Sequence, residues 1–227
     1  MRVLRRMARR LVGRAGGPRA AQADEAEAIR RSGLLDVNYY LMEGQDVLAA
    51  GLDPVVHFCE FGWREGRRPN LCFDPAWYRA RYLARAPRAG SLANPLAHYL
   101  AGGEAAGCRP IAYFDPAWYR RTYGVPAGTT ALAHYLAHRR SQRVAPNPHF
   151  DLAYYLARHG REIGPNRDPF AHLLRCGATR DLDPSPHFDS AAYRRAAMPA
   201  AAAGPADLTA HELRVPLVHF LDASARP

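Results

Sequence analysis

Four histidines, His57, His98, His134 and His172, are each followed 17 residues later by an aspartate: Asp74, Asp115, Asp151 and Asp189. Between them, Pro69, Pro110, Pro146 and Pro184 stand 12 residues after the histidine, and Phe73, Phe114, Phe150 and Phe188 stand 16 after it. This fixed register marks a tandem repeat of about 38 residues. With Asp36 at the front and His219 at the back it counts five units. A repeat restricts the fold strongly, because a unit this small buries its apolar face only against its neighbours. The expectation is an all-α tandem array of short helix pairs, long and thin rather than globular.

Each unit opens with an apolar residue and an aspartate, as in Phe73-Asp74-Pro75-Ala76-Trp77-Tyr78-Arg79, which recurs letter for letter from Phe114 to Arg120. Asp at an N-cap accepts backbone N–H bonds, and Pro is pre-set for the first helical position. The residue before the cap should close a hydrophobic staple, pairing Leu35, Phe73, Phe114, Phe150 and Phe188 with Tyr40, Tyr78, Tyr119, Tyr155 and Tyr193. A second helix begins at Asp53-Pro54, Asn94-Pro95 and Asp168-Pro169 and carries the repeated histidine. Units three and five have Ala131-Leu132 and Val215-Pro216 there instead. Gly62, Gly103 and Gly177, five residues after the histidine, read as left-handed caps that stop the helix. The spacing from Asp to the following His varies as 21, 24, 19, 21 and 30, so adaptation is expected in the loop between the two helices.

The net charge of +10 is uneven: residues 1–31 hold +6 of it and the remainder is nearly balanced. In the first 20 residues Val3, Leu4, Met7 and Leu11 recur at helical spacing, while Arg2, Arg5, Arg6, Arg9, Arg10 and Arg14 fill other positions with no acid among them. A basic amphipathic helix of this kind would lie on an anionic membrane surface, and the other reading is a disordered tail. Nucleic acid is disfavoured, because no basic stripe continues into the repeats. The domains expected are a tail over 1–27 and a five-unit repeat domain over 28–227. Cys59, Cys72, Cys108 and Cys176 occupy four different repeat positions and form no Cys-x-x-Cys pair, which argues for reduced thiols in a cytoplasmic setting. No apolar run is long enough to span a bilayer.

The repeat anchors Asp36, Asp74, Asp115, Asp151 and Asp189 read as helix caps. The histidines His57, His98, His134, His172 and His219 read as structural hydrogen-bonding groups, each meeting a neighbouring unit or a backbone carbonyl. One His per unit stands far outside the His-x-x-x-His spacing that sets two ligands on one helix face, so no bound metal is expected. Trp77, Trp118, Tyr39 and Tyr154 could form a ladder for sugar rings, but aromatics beside a staple belong with the core. Asp181-Leu182-Asp183 has the form of a glycosyltransferase metal motif and reads as a solvated turn. Neither a Walker loop nor a nucleophile elbow is present, so no catalytic residue and no cofactor is assigned.

The run Arg31-Ser32-Gly33-Leu34-Leu35-Asp36, then Tyr39-Tyr40-Leu41, Gly51-Leu52-Asp53-Pro54, His57-Phe58 and Gly62-Trp63-Arg64-Glu65-Gly66-Arg67-Arg68-Pro69-Asn70, resembles a repeat region at the front of many bacterial glycosyltransferases and rhamnan-synthesis-type proteins. The resemblance covers about residues 28–222. Those proteins act in capsule and lipopolysaccharide assembly, but the repeat is not their catalytic part. The transferase domain that would follow Val215-Pro216-Leu217-Val218-His219-Phe220-Leu221 is missing from this chain, so no transferase activity is expected. The resemblance thus implies a non-enzymatic docking or accessory module for surface-polysaccharide synthesis. It would sit in the cytoplasm, peripheral to the inner face of the cell membrane, with a glycosyltransferase or the assembly machinery as protein partner. The alternative is a glycosyltransferase fragment or a carbohydrate-binding protein.

Overall fold

The structure is a computed structural model that describes residues 18–84, 93–198 and 211–225. Among the described residues it is all-helical, with no strand beyond the isolated bridges Asn70–Phe73 and Ser185–Phe188. The α-helices are α1 (Pro18–Ser32), α2 (Val37–Glu43), α3 (Gln45–Ala49), α4 (Pro54–His57), α5 (Pro75–Tyr78), α6 (Pro95–His98), α7 (Pro116–Tyr123), α8 (Ala131–His138), α9 (Leu152–Ile163), α10 (Pro169–Cys176), α11 (Ser190–Ala197) and α12 (Pro216–Ala225). Three of the shortest, α4, α5 and α6, run straight on into π-helical turns at Phe58–Gly62, Arg79–Leu83 and Tyr99–Gly103.

All five repeated aspartates cap a helix. Asp36, Asp115, Asp151 and Asp189 each accept the N–H three residues on, from Tyr39, Trp118, Tyr154 and Ala192, while Asp74 takes those of Ala76 and Trp77. Asp53, Asn94 and Asp168 cap the second helices in the same way. In unit three the cap is Thr130, which accepts from Ala133 N–H and takes the place of the missing Asp-Pro pair. The staples close as ring contacts, with centres 5.3 Å apart for Phe73–Tyr78, 5.5 Å for Phe114–Tyr119, 4.8 Å for Phe150–Tyr155 and 5.3 Å for Phe188–Tyr193.

Units one to four each close on themselves through a backbone bond. The N–H of Asp36, Asp74, Asp115 and Asp151 donates to the carbonyl of Pro69, Pro110, Pro146 and Pro184 at 2.9, 3.3, 3.0 and 2.9 Å. Each first helix is therefore stitched at its cap to the turn that ends its own unit. At two junctions an asparagine after the Pro adds a second stitch, Asn70 Nδ2 to Leu34 O at 2.6 Å and Asn147 Nδ2 to Tyr113 O at 2.9 Å. Because the Asp side chain also caps its helix, one residue holds both the start of the helix and the closure of the unit.

The expected long, thin array is not what forms. Arg68 pairs with Glu212, 144 residues away, and Trp77 Nε1–H donates to Asp222, 145 away. Arg139 pairs with Asp36 across 103 residues, and the rings of Tyr113 and Phe170 meet at 5.3 Å. An open solenoid has contacts only between neighbouring units. Here the helices are short and units one to four are each pulled tight by a stitch, and the chain coils back so that units one and two reach units three, four and five.

The boundary expected between residues 27 and 28 falls inside α1. Ala26 and Ile29 are buried in the common core, Glu25 accepts from Asn94 Nδ2 at 2.8 Å and Arg30 pairs with Asp53 at 3.0 Å. The helix is thus part of the body, tied there by apolar burial that the basic composition around it obscured.

Gly62, Gly103 and Gly177 are not left-handed caps, since none has a positive φ. They are small because a side chain has no room. A Cβ on Gly62 would lie 2.1 Å from Tyr40 Oη, and one on Gly103 would lie 2.3 Å from Tyr78 Oη. On Gly177 it would lie 2.7 Å from the Leu173 carbonyl oxygen. The left-handed turn comes four residues later in the first two units, at Gly66 and Gly107.

Asp115 offers a direct measure of a cap within a central unit. It holds the Trp118 N–H and also pairs with Arg109 at 2.8 Å. Replacing Asp115 by Ala is expected to cost about 1 kcal/mol and lower the thermal midpoint by roughly 2–4 °C for a chain of this size. Scanning calorimetry checks it, and an unchanged midpoint would remove the cap from the stability argument.

Candidate functional site

The partner common to all five repeated histidines is neither in a neighbouring unit nor a carbonyl. In every unit Nδ1 bonds the hydroxyl of the staple tyrosine in the same unit: Tyr40–His57 2.8 Å, Tyr78–His98 2.9 Å, Tyr119–His134 2.9 Å, Tyr155–His172 2.8 Å and Tyr193–His219 3.0 Å. The expected contact with a neighbouring unit or a carbonyl gives way to one within the unit. The tyrosine instead reaches past the histidine and over Gly62 or Gly103. Burial lowers the pKa of His57 and His134 and raises that of all five tyrosines, which favours the neutral form of each of these seven groups. A tyrosine–histidine bond repeated five times is a fastening between two helices.

The other sequence candidates are also consumed by structure. Asp181 pairs with Arg194 at 2.8 Å and Asp183 accepts the Ser190 N–H at 2.8 Å, so the Asp-Leu-Asp turn fixes the start of α11. Trp77 is buried and bonded to Asp222, while Trp118 packs edge-on against Tyr123. Among the described residues Trp77, Trp118, Tyr39 and Tyr154 make no ring contact with one another, so the sugar-binding ladder does not form. Arg2, Arg5, Arg6, Arg9, Arg10 and Arg14 lie outside the described residues. The four cysteines are free thiols. No helix among the described residues is long and apolar enough to cross a membrane.

Coiling creates what the sequence does not announce, a cleft of about 1210 Å³ where units one, three, four and five converge. Its floor is built of buried charge. The Arg68 guanidinium makes two parallel bonds to Glu212, 2.7 and 2.8 Å, and two to Asp74, 3.2 and 2.8 Å. Arg139 bridges Asp36 at 2.6 Å and Asp168 at 3.4 Å. Burial works against the charge on Arg68, but the oxygens of Tyr113, Glu212 and Asp74 outweigh it and hold the guanidinium protonated. Burial raises the Asp168 carboxyl above the usual range, and Arg139 with the N–H groups of Ala171 and Phe170 offsets only part of this. Tyr39 on the wall has its hydroxyl pKa pushed up to about 12, chiefly by burial. Exposed Met42 stands at the rim.

On the wall of unit four lies the one group among the described residues that could hold a metal ion: Glu162, His172 and Cys176 present ligand atoms all within 4.8 Å of one another. Search for His pairs alone passes over it. The legible signal is His172 and Cys176 at i and i+4 on one helix, the spacing that sets two ligands on one face. No protein-family model matches the chain, and neither a curated protein nor a solved structure does.

Proposed function

We propose that this chain is a non-catalytic docking module for glycosyltransferase-dependent assembly of a bacterial surface polysaccharide. The observation that carries the reading is the engagement of the repeated polar residues: five aspartates in caps and five histidines in Tyr–His bonds leave the cleft between units as the distinctive surface. The run from Arg31 to Asn70 supplies the link to polysaccharide synthesis by resemblance. The partner is a glycosyltransferase or a component of the assembly machinery at the cytoplasmic face of the membrane. The arginines at 2, 5, 6, 9, 10 and 14 add an anionic-lipid contact, each worth about 1 kcal/mol near headgroups and weakened by salt.

A photo-crosslinking residue in place of Met42, on the exposed rim of the cleft, tests the reading in the native host. The expected product is a covalent adduct with a glycosyltransferase or polymer-assembly protein, together with altered surface polysaccharide when the gene is deleted. Wild-type polysaccharide in the deletion strain sinks the proposal. A second reading, direct glycan binding, draws on Tyr39, Asn38 and the arginines that line the cleft. Calorimetric binding of an acidic or rhamnose-containing oligosaccharide that is lost in Tyr39→Ala would favour it over docking.

A further inference from the structure

We infer that Glu162, His172 and Cys176 form a zinc site that ties α9 to α10 at the wall of the cleft. Three kinds of donor meet there: a carboxylate from the end of α9, an imidazole from the middle of α10 and a thiol from its last turn. Zinc accepts this mixture of O, N and S ligands, and one thiolate with one carboxylate neutralises its charge. The Cys176 proton leaves to solvent as the Zn–S bond forms.

The imidazole is already arranged for this. His172 is 3% exposed, and its Nε2 is buried without a hydrogen bond, standing 3.2 Å from Glu162 Oε1 in a geometry that completes none. Its Nδ1 is held by the Tyr155 hydroxyl at 2.8 Å. When Nδ1–H donates to that oxygen, Nε2 keeps its lone pair toward Glu162 and Cys176. A second hydrogen bond of this kind orients metal-binding histidines generally. An orphaned buried nitrogen is costly, and a metal ion relieves it.

Unit four alone has this combination. The residue four after the repeated histidine is Phe61 in unit one, Gly102 in unit two, His138 in unit three and Ala223 in unit five. His138 turns its Nδ1 to the His134 carbonyl instead. One competitor is present: Arg180 binds both oxygens of Glu162 and holds its carboxyl down to about 2. Zinc and Arg180 therefore contend for the same carboxylate. Three protein ligands leave one tetrahedral position to water.

The test uses the full chain without a histidine tag, loaded with zinc, desalted and assayed for metal. About one zinc per chain is expected, and cobalt in its place should give a thiolate-to-metal charge-transfer band. Cys176→Ser should abolish that band while Cys59→Ser keeps it. Tyr155→Phe should weaken zinc binding about 10–100-fold through loss of ring orientation. Glu162→Gln, at an exposed carboxylate where unfolding is no concern, should also weaken it, and Arg180→Ala should tighten it by removing the competitor. Zinc absent from the loaded wild-type chain, or a cobalt band that survives Cys176→Ser, overturns the inference and leaves a His–carboxylate ion pair.

Discussion

Replacing Arg68 by alanine is expected to destabilise the whole body by about 3–5 kcal/mol, the cost of removing one partner from a buried ion pair. The side chains involved are almost dry: Arg68 is 8% exposed, Asp74 7% and Glu212 9%. Once the guanidinium is gone, Asp74 still holds the N–H groups of Ala76 and Trp77, but Glu212 loses its bidentate partner. Urea unfolding measures the loss, with Arg64→Ala as the control. That arginine is exposed, bonded to the Glu60 carbonyl and laid over the Trp63 ring, and its loss should cost about 0.5–1 kcal/mol. Equal stability of the two variants would mean that the contact between the first and fifth units does not hold the molecule closed.

Gly62→Ala is expected to cost about 2–5 kcal/mol, combining an overpacked contact with a disrupted buried hydrogen bond. The added Cβ would meet Tyr40 Oη at 2.1 Å and Cζ at 3.3 Å, and the tyrosine cannot yield while it bonds His57. The contrast is Gly66→Ala, where φ is +76° and nothing lies within 4 Å of the new Cβ, so that only left-handed strain of about 1–2 kcal/mol is expected. Combining Gly62→Ala with Tyr40→Phe removes the clashing hydroxyl, and the pair should cost less than the sum of its parts. Strict additivity in thermal unfolding would show that the glycine serves some purpose other than room for the Tyr–His bond.

How much of this could be read in the letters depends on the range of each interaction. Caps and staples act within one turn of helix, so Asp74 with Trp77 and Phe73 with Tyr78 were visible as fixed offsets. The His anchors were legible as structural, but their partner was not, because Tyr and His lie 15 to 26 residues apart across a loop of varying length. Gly62 shows a second kind of failure. A glycine after a helix suggests a backbone that needs positive φ, and here the need is space above the chain. The cleft was invisible for a different reason: Arg68, Arg139, Asp168 and Glu212 belong to no common repeat position, and only the way the chain coils brings them together. The Glu162, His172 and Cys176 group was half legible, since two of its members sit at helical spacing and the third depends on how α9 lies on α10.

The bond from Arg68 to Glu212 also limits how such a chain can evolve. Open repeat arrays grow and shrink by duplicating or losing a unit, since every copy meets the same two neighbours wherever it stands. In this molecule one added unit between Asp74 and Asp189 would carry Glu212 and Asp222 away from Arg68 and Trp77, stranding two acids and a guanidinium in the interior. The copy number is therefore fixed by electrostatics rather than free to drift. Variation is left to the lengths of the loops between each capping aspartate and its histidine, where 19 to 30 residues are already accommodated.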